Sequence, residues 1–338
     1  MKTKALIILL FTLNAYSQEP QFSQFNSFPL YLNPALTGVT PNDRTAVIYR
    51  VQWMGIPGAY RSYGFSYDKN WIKKKSGVGL LLMKDETSWG AFSTLTAGGL
   101  YSYHLQIDRT KSLSSGARVS YFQQKLVPEK VTFADQLIRN DGSPTYEVFD
   151  NRTHAFADIS WGFHFSDYDS LTDKGYYAGI SLDHLNSPPI AFNESKGSQP
   201  WKYSLQGGFS SRLTKDVKDK TTSAISFSFL YKAQRKWDQA DFTANYTYRT
   251  FDVGLSYRGI PFFKRYKPDY PNRDAVIILA GYHNDYMQVN YSFDFTVSKL
   301  GISNTLGSHE VSVVNKFKIP QSKKSKYKKK LIMATPKF

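Results

Sequence analysis

The chain has 338 residues and no cysteine, so disulfides and thiolate metal sites are excluded, and stability has to come from hydrogen bonding and packing. Aromatics make up 16% of it, with 24 Tyr and 24 Phe; a soluble core struggles to bury so many half-polar rings, whereas a transmembrane barrel lays them at its two membrane–water boundaries. The net charge is +16, but Lys318–Phe338 alone carries eight lysines and no acid, so the basicity belongs to a tail and argues against nucleic acid as a partner.

The first element is a leader. Lys2 and Lys4 precede an apolar run from Ala5 to Leu13, and Ala15-Tyr16-Ser17 gives a small-residue cleavage site before Gln18. Residues 1–17 therefore read as a secretory signal peptide cleaved after Ser17, too short to span a membrane as a helix. After Leu13 no stretch approaches the roughly twenty apolar residues of a membrane helix, so a membrane-embedded mature chain has to be a barrel.

Residues 18–43 do not alternate. Pro29, Pro34 and the Asn33-Pro34 step favour turns and extended backbone over helix. Two readings stand side by side: a plug folded into a barrel lumen, where irregular backbone is shielded from lipid, or a loose periplasmic arm.

From Arg44 onward apolar and polar residues alternate with period two. In the stretch 155–165, Ala155, Ala157, Ile159, Trp161, Phe163 and Phe165 oppose Asp158, Ser160, Gly162 and His164. In 287–297, Met287, Val289, Tyr291, Phe293, Phe295 and Val297 oppose Gln288, Asn290, Ser292, Asp294 and Thr296. The pattern predicts strands near 44–54, 60–69, 76–86, 92–107, 112–127, 153–166, 175–186, 201–213, 221–232, 237–249, 250–259, 274–284, 285–297 and 308–318. That is an all-β fold, a transmembrane antiparallel β-barrel of about 14 strands over residues 44–318, with an N-terminal plug-like segment. Most segments run ten or more residues, the length of a tilted bilayer crossing, where soluble strands run five or six. The longest gaps, near 128–152, 187–200, 260–273 and 298–307, all follow odd-numbered segments, which is the asymmetry of long external loops and short periplasmic turns.

The polar face carries Arg50, Asp68, Arg118, Asp158, Arg212, Arg249, Asp252, Arg258 and Asp294. Both signs are present, so these side chains are expected to pair across the interior; an aqueous solute path is the alternative. Two loops offer partner contacts. Pro128–Asn151 bears Phe133, Tyr146 and Phe149, and Gly259–Arg273 bears Phe262, Phe263 and Tyr266 among lysines and arginines. Self-packing over the barrel mouth is the competing role of both. Residues 319–338 form a basic periplasmic tail with three readings: a solvated end, a contact with anionic headgroups, or a dock for periplasmic machinery.

Signs of enzyme chemistry are few. There is no phosphate-binding glycine loop and no His-Glu-x-x-His zinc pair, and Gly254-Leu255-Ser256-Tyr257-Arg258 lacks the second glycine of a nucleophile elbow. His104 and His164 with lumenal serines are the only candidates, on separate strands. The expectation is a non-enzyme with no cofactor and no metal.

The ends of the barrel carry a family resemblance. Pro20-Gln21-Phe22-Ser23-Gln24-Phe25, then Tyr31, Leu32, Asn33, Pro34, Ala35 and Gly38, resemble the opening signature of the PorP/SprF membrane proteins of the Bacteroidetes type IX secretion system. Tyr49-Arg50-Val51-Gln52-Trp53 and Gly307-Ser308-His309-Glu310-Val311-Ser312 agree with it; the basic tail beyond Phe317 departs from it. The resemblance implies an outer-membrane protein that binds, exports or retains particular secreted substrates, such as gliding adhesins, at the cell surface. Its implied partners are a substrate with a C-terminal sorting domain, the secretion machinery in outer membrane and periplasm, and outer-membrane lipid. Asn33-Pro34-Ala35 is also similar to the N-terminal hatch of long-chain fatty acid transporters, which supplies the alternative: a barrel for hydrophobic solutes.

Overall fold

The computed structural model describes residues 19–140, 142–146, 152–169, 172–190, 197–215, 221–260, 265–267 and 270–317. The leader, the basic tail, Phe149, Phe262 and Phe263 lie outside the described residues.

Fourteen strands close a single antiparallel barrel. They are β1 (Asp43–Gln52), β2 (Tyr60–Trp71), β3 (Ser76–Thr87), β4 (Phe92–Gln106), β5 (Lys111–Leu126), β6 (Thr153–Asp169), β7 (Lys174–Asp183), β8 (Lys202–Lys215), β9 (Thr221–Gln234), β10 (Trp237–Tyr248), β11 (Phe251–Gly259), β14 (Arg273–His283), β15 (Met287–Thr296) and β16 (Ser308–Phe317). Two short strands, β12 (Arg265–Lys267) and β13 (Tyr270–Pro271), pair with each other inside the loop after β11. Each barrel strand pairs with its neighbour in sequence, and β1 closes the ring on β16 from Asp43↔Phe317 to Gln52↔Ser308. Closure leaves no free sheet edge, which is what a backbone in hydrocarbon requires. Among the described residues no helix is long and apolar enough to cross a membrane.

The period-two pattern sorts residues as the sequence predicts. Val47, Phe65, Leu80, Leu82, Val119, Ile159, Ile180, Phe242, Val253 and Leu255 are exposed on the outer wall, while Arg50, Arg118, Asp158, Ser160, His164, Gln206, Asp241, Arg258, Asp294 and Glu310 are buried inside. Rings gather near both strand ends: Trp71, Tyr103, Tyr248, Phe251, Tyr282 and Phe317 at one, Tyr60, Trp201, Tyr203 and Trp237 at the other. An apolar band between aromatic girdles is the lipid-facing surface of such a barrel.

The connections differ by end. Residues 72–75, 107–110, 249–250 and 284–286 make tight turns at one end; residues 127–152, 184–201, 260–272 and 297–307 make long connections at the other. The loop after β5 contains a short helix, α2 (Ala134–Arg139), that alternation does not predict. Arg249 departs from its expected lumenal place. It sits exposed in the two-residue turn after β10 with φ of 54° and lies over the Tyr248 ring, because the alternation ends one residue before it.

Candidate functional site: an internal segment and the chamber above it

The segment ahead of β1 is built by its prolines. Pro29 starts a one-turn helix, α1 (Pro29–Leu32), and Pro34 starts a 3₁₀ turn over Pro34–Leu36, each proline supplying a fixed φ where its missing N–H costs nothing. Asn33 between them accepts the Ala35 N–H at 2.9 Å and donates to the Phe163 and Ile180 carbonyls at 2.9 and 3.2 Å. Leu30, Asn33, Ala35 and Thr37 are wholly buried, and Phe22, Phe28 and Leu30 pack on the inward-facing Ile48, Leu81 and Leu100. Tyr31, Leu32, Asn33, Pro34, Ala35 and Gly38 are thus brought together within the barrel.

The wall is shaped to receive this backbone. A Cβ on Gly162 would stand 2.1 Å from Asn33 Oδ1, and one on Gly77 would stand 2.2 Å from the Thr37 carbonyl oxygen. Both strands need glycine here because the segment ahead of β1 runs against them.

Three ionic groups hold the segment. In the first, Arg50 reaches Asp294 at 2.7 Å and Glu310 at 3.0 Å, and Arg258 reaches Asp241 at 2.7 Å and Asp294 at 3.0 Å. Ser23 enters this cluster. Its hydroxyl donates to Asp294 at 2.8 Å and accepts from Arg50 and Arg258 at 2.7 and 2.8 Å, while the Ser23 and Gln24 N–H groups donate to Glu310 at 2.9 and 2.7 Å. In the second, nearer the short-turn end, Asp68 accepts two bonds from Arg44 at 2.8 and 2.9 Å and one from the Gly38 N–H at 2.7 Å. The third lies at the long-loop end, where Glu19 pairs with His184 and Lys202; His184 also bonds Asp158 at 2.7 Å, and Asp183 pairs with Arg118 at 2.8 Å and Lys202 at 3.2 Å. His184 is the first residue beyond β7. Burial works against its charge, but the Glu19 and Asp158 carboxylates outweigh burial and hold it up at about 9. In a low-dielectric interior such charges are tolerable only when paired this closely.

A cavity of about 1390 Å³ opens at the long-loop end above the segment. Phe22, Phe25, Phe28, Tyr31 and Leu32 face it from the segment, and Lys202, Leu230, Lys232 and Trp237 from the wall.

Of the two predicted loop contacts, Tyr146 is exposed and Phe133 half-buried, beside α2. Asp135 in α2 accepts the Tyr146 N–H at 2.8 Å, and Arg139 lies 4.0 Å from the centre of the Tyr146 ring, so the aromatic is presented from a folded loop. The Tyr146 N–H bond, with help from the Thr145 hydroxyl and Arg139, holds the Asp135 carboxyl below its ordinary range. Tyr266 lies in β12. The loop residues and the N-terminal motif occupy separate parts of the molecule. His104 bonds Ser114 at 2.9 Å and Ser102 at 3.2 Å, but Ser102 donates to the Thr37 carbonyl and all three are buried, so they bind the segment to the wall. Sequence reasoning missed Glu19, His184, Lys202 and Lys232, none of which sits in a recognisable motif.

A closed fourteen-strand barrel with a lipid-facing apolar band and an ordered segment inside it is an outer-membrane β-barrel protein. The family model for the type IX secretion system membrane protein PorP/SprF matches residues 14–314. The chain belongs to that family. Among curated proteins, none matches it. Among solved structures it is similar to the Ralstonia pickettii toluene transporter TbuX (9% identity, 86% of this chain and 94% of that one, TM-score 0.49). It is also similar to the Pseudomonas putida toluene transporter TodX (10%, 88% and 98%, 0.48) and to Acinetobacter baumannii Omp33 (10%, 83% and 100%, 0.43). Fold and family are of a non-enzymatic membrane-protein type, associated with secretion machinery.

Proposed function

We propose that this barrel binds a specific secreted protein, such as a gliding adhesin with a C-terminal sorting domain, and exports it or retains it at the cell surface. The reading assigns residues 1–17 to a cleaved leader, the long-loop end to the outside, the internal segment to a plug, and the basic tail to a dock on periplasmic machinery. Phe133, Tyr146, Phe149, Phe262, Phe263 and Tyr266 are the proposed partner contacts. The observation that carries it is the family match over residues 14–314; the chamber at the long-loop end adds a concave surface floored by Phe22, Phe25 and Tyr31. Deleting the gene and comparing the surface-exposed proteins of mutant and parent tests it. Loss of one or a few secreted proteins with unchanged solute uptake is the expected result. Intact secretion together with lost uptake of an apolar solute would favour instead a hydrophobic-solute barrel, a reading that the apolar chamber floor also suits.

A further inference from the structure

The chamber holds a cation that the ionic network leaves out. Lys202 is matched by Glu19 and Asp183 and lies over the Tyr31 ring. Lys232, two residues from the buried Leu230 on the same face of β9, also lines the chamber, yet it makes no ion pair or hydrogen bond among the described residues. Its register partners are Ser204 on β8 and Gln239 on β10, neither of them acidic, and the carboxylates whose field reaches it, Asp241 and Glu19, are already paired with Arg258 and with Lys202 and His184. A half-buried ammonium facing an apolar floor keeps its charge at a cost unless an anion meets it.

The surroundings narrow the class of ligand. The chamber that Lys232 lines is also lined by the apolar Phe25 and Leu230 and by four carboxamides, Gln234 and Gln239 on its own and the adjoining strand and Gln52 and Gln124 on more distant strands. Carboxamides both donate and accept, so they suit the repeating N–H and C=O groups of a polypeptide and gain nothing from a hydrocarbon. The volume of about 1390 Å³ also exceeds the few hundred to about 1,000 Å³ of ordinary small-molecule pockets.

We infer that the chamber receives an extended polypeptide segment with apolar side chains and one carboxylate, the side chains resting on the segment's aromatic floor and the carboxylate meeting Lys232. This rests on no assumption about which protein supplies the segment or how it is exported. It gives the chamber a chemical preference: acidic over neutral, peptide over simple amphiphile.

The test uses the full-length barrel in lipid nanodiscs, with heat-modifiable gel mobility confirming the fold of each variant. The probe is a dansylated, C-terminally amidated hexapeptide of valine and phenylalanine with one central glutamate; its control carries glutamine there. The glutamate peptide is expected to bind about tenfold more tightly than the control, the value of a charge-assisted hydrogen bond at a partly desolvated site. Lys232→Gln should abolish the difference between the two peptides, and Lys232→Arg should restore it. Equal binding of both peptides to the parent barrel overturns the inference, as does a Lys232→Gln barrel that still prefers glutamate. Decanoate binding in place of either peptide also overturns it, by making the chamber a site for free amphiphiles. Loss of secretion in cells would bear on the proposed function and leave this in vitro outcome unaffected.

Discussion

Arg50 is 2% exposed and meets two carboxylates and the Ser23 hydroxyl, so the consequence of removing it follows from electrostatics. Arg50→Ala leaves Asp294 and Glu310 with one arginine fewer, and an orphaned buried charge costs about 3–5 kcal/mol. Urea unfolding in detergent micelles, followed by gel mobility, is expected to show that loss; an unchanged midpoint would mean the cluster is hydrated rather than paired. Gly162 presents a steric case. Gly162→Ala places a methyl group on Asn33 Oδ1, so the Asn33 side chain has to move and its Nδ2 gives up the bonds it donates to the Phe163 and Ile180 carbonyls. Limited proteolysis should then cut within residues 19–42 while the barrel stays resistant, and Asn33→Ala in the same chain should partly restore protection.

His184 carries a pH dependence. Its folded value of about 9 lies above the ordinary 6.5, so the charged contact with Glu19 stabilises fully below about 6.5 and is lost as pH rises through about 9. The chain has no cysteine, so Gln21→Cys gives a single reporter at the chamber floor. Relative to the same reporter in a His184→Gln background, its labelling by a charged thiosulfonate should accelerate between pH 7 and pH 10. Parallel rates in both backgrounds would show that this contact does not hold the segment.

At the scale of elements, the strands were legible because a barrel wall repeats one physical rule at every second residue. Lipid on one side and lumen on the other leave a clean alternation, and it located each of the fourteen barrel strands to within a few residues. Where other forces enter, the pattern misleads. The alternation extends β7 to residue 186, but the strand stops at Asp183 and His184 turns with φ of 63°. Its last residues are drawn inward by Arg118, Lys202 and Glu19, partners that lie far away in sequence. The same reason hid the internal site. The glycines of the wall read as ordinary strand residues, and only the course of residues 19–42 shows what Gly77 and Gly162 make room for. The α2 helix escaped because six residues are too few to display a helical period.

For the whole molecule, the question is what an internally bonded segment does to passage through the barrel. The segment is tied to β1, β2, β4, β6, β15 and β16 by side-chain and backbone hydrogen bonds, and its two proline-started turns shorten it into a compact body. A fourteen-strand ring emptied of that body would leave inward-facing serines, arginines and carboxylates lining an aqueous lumen, as in porins. Removing residues 19–38 while keeping the approach to β1 is therefore expected to raise single-channel conductance in planar bilayers severalfold, with noise from Arg50 and Glu310, which keep each other but lose Ser23 and Gln24. The double change Ser23→Ala and Asn33→Ala, which cuts bonds at two heights without emptying the lumen, should give brief openings on a closed baseline. If the deletion conducts no better than the parent barrel, the seal lies in the loops at the mouth, and the segment serves as a brace for the ring instead of a stopper.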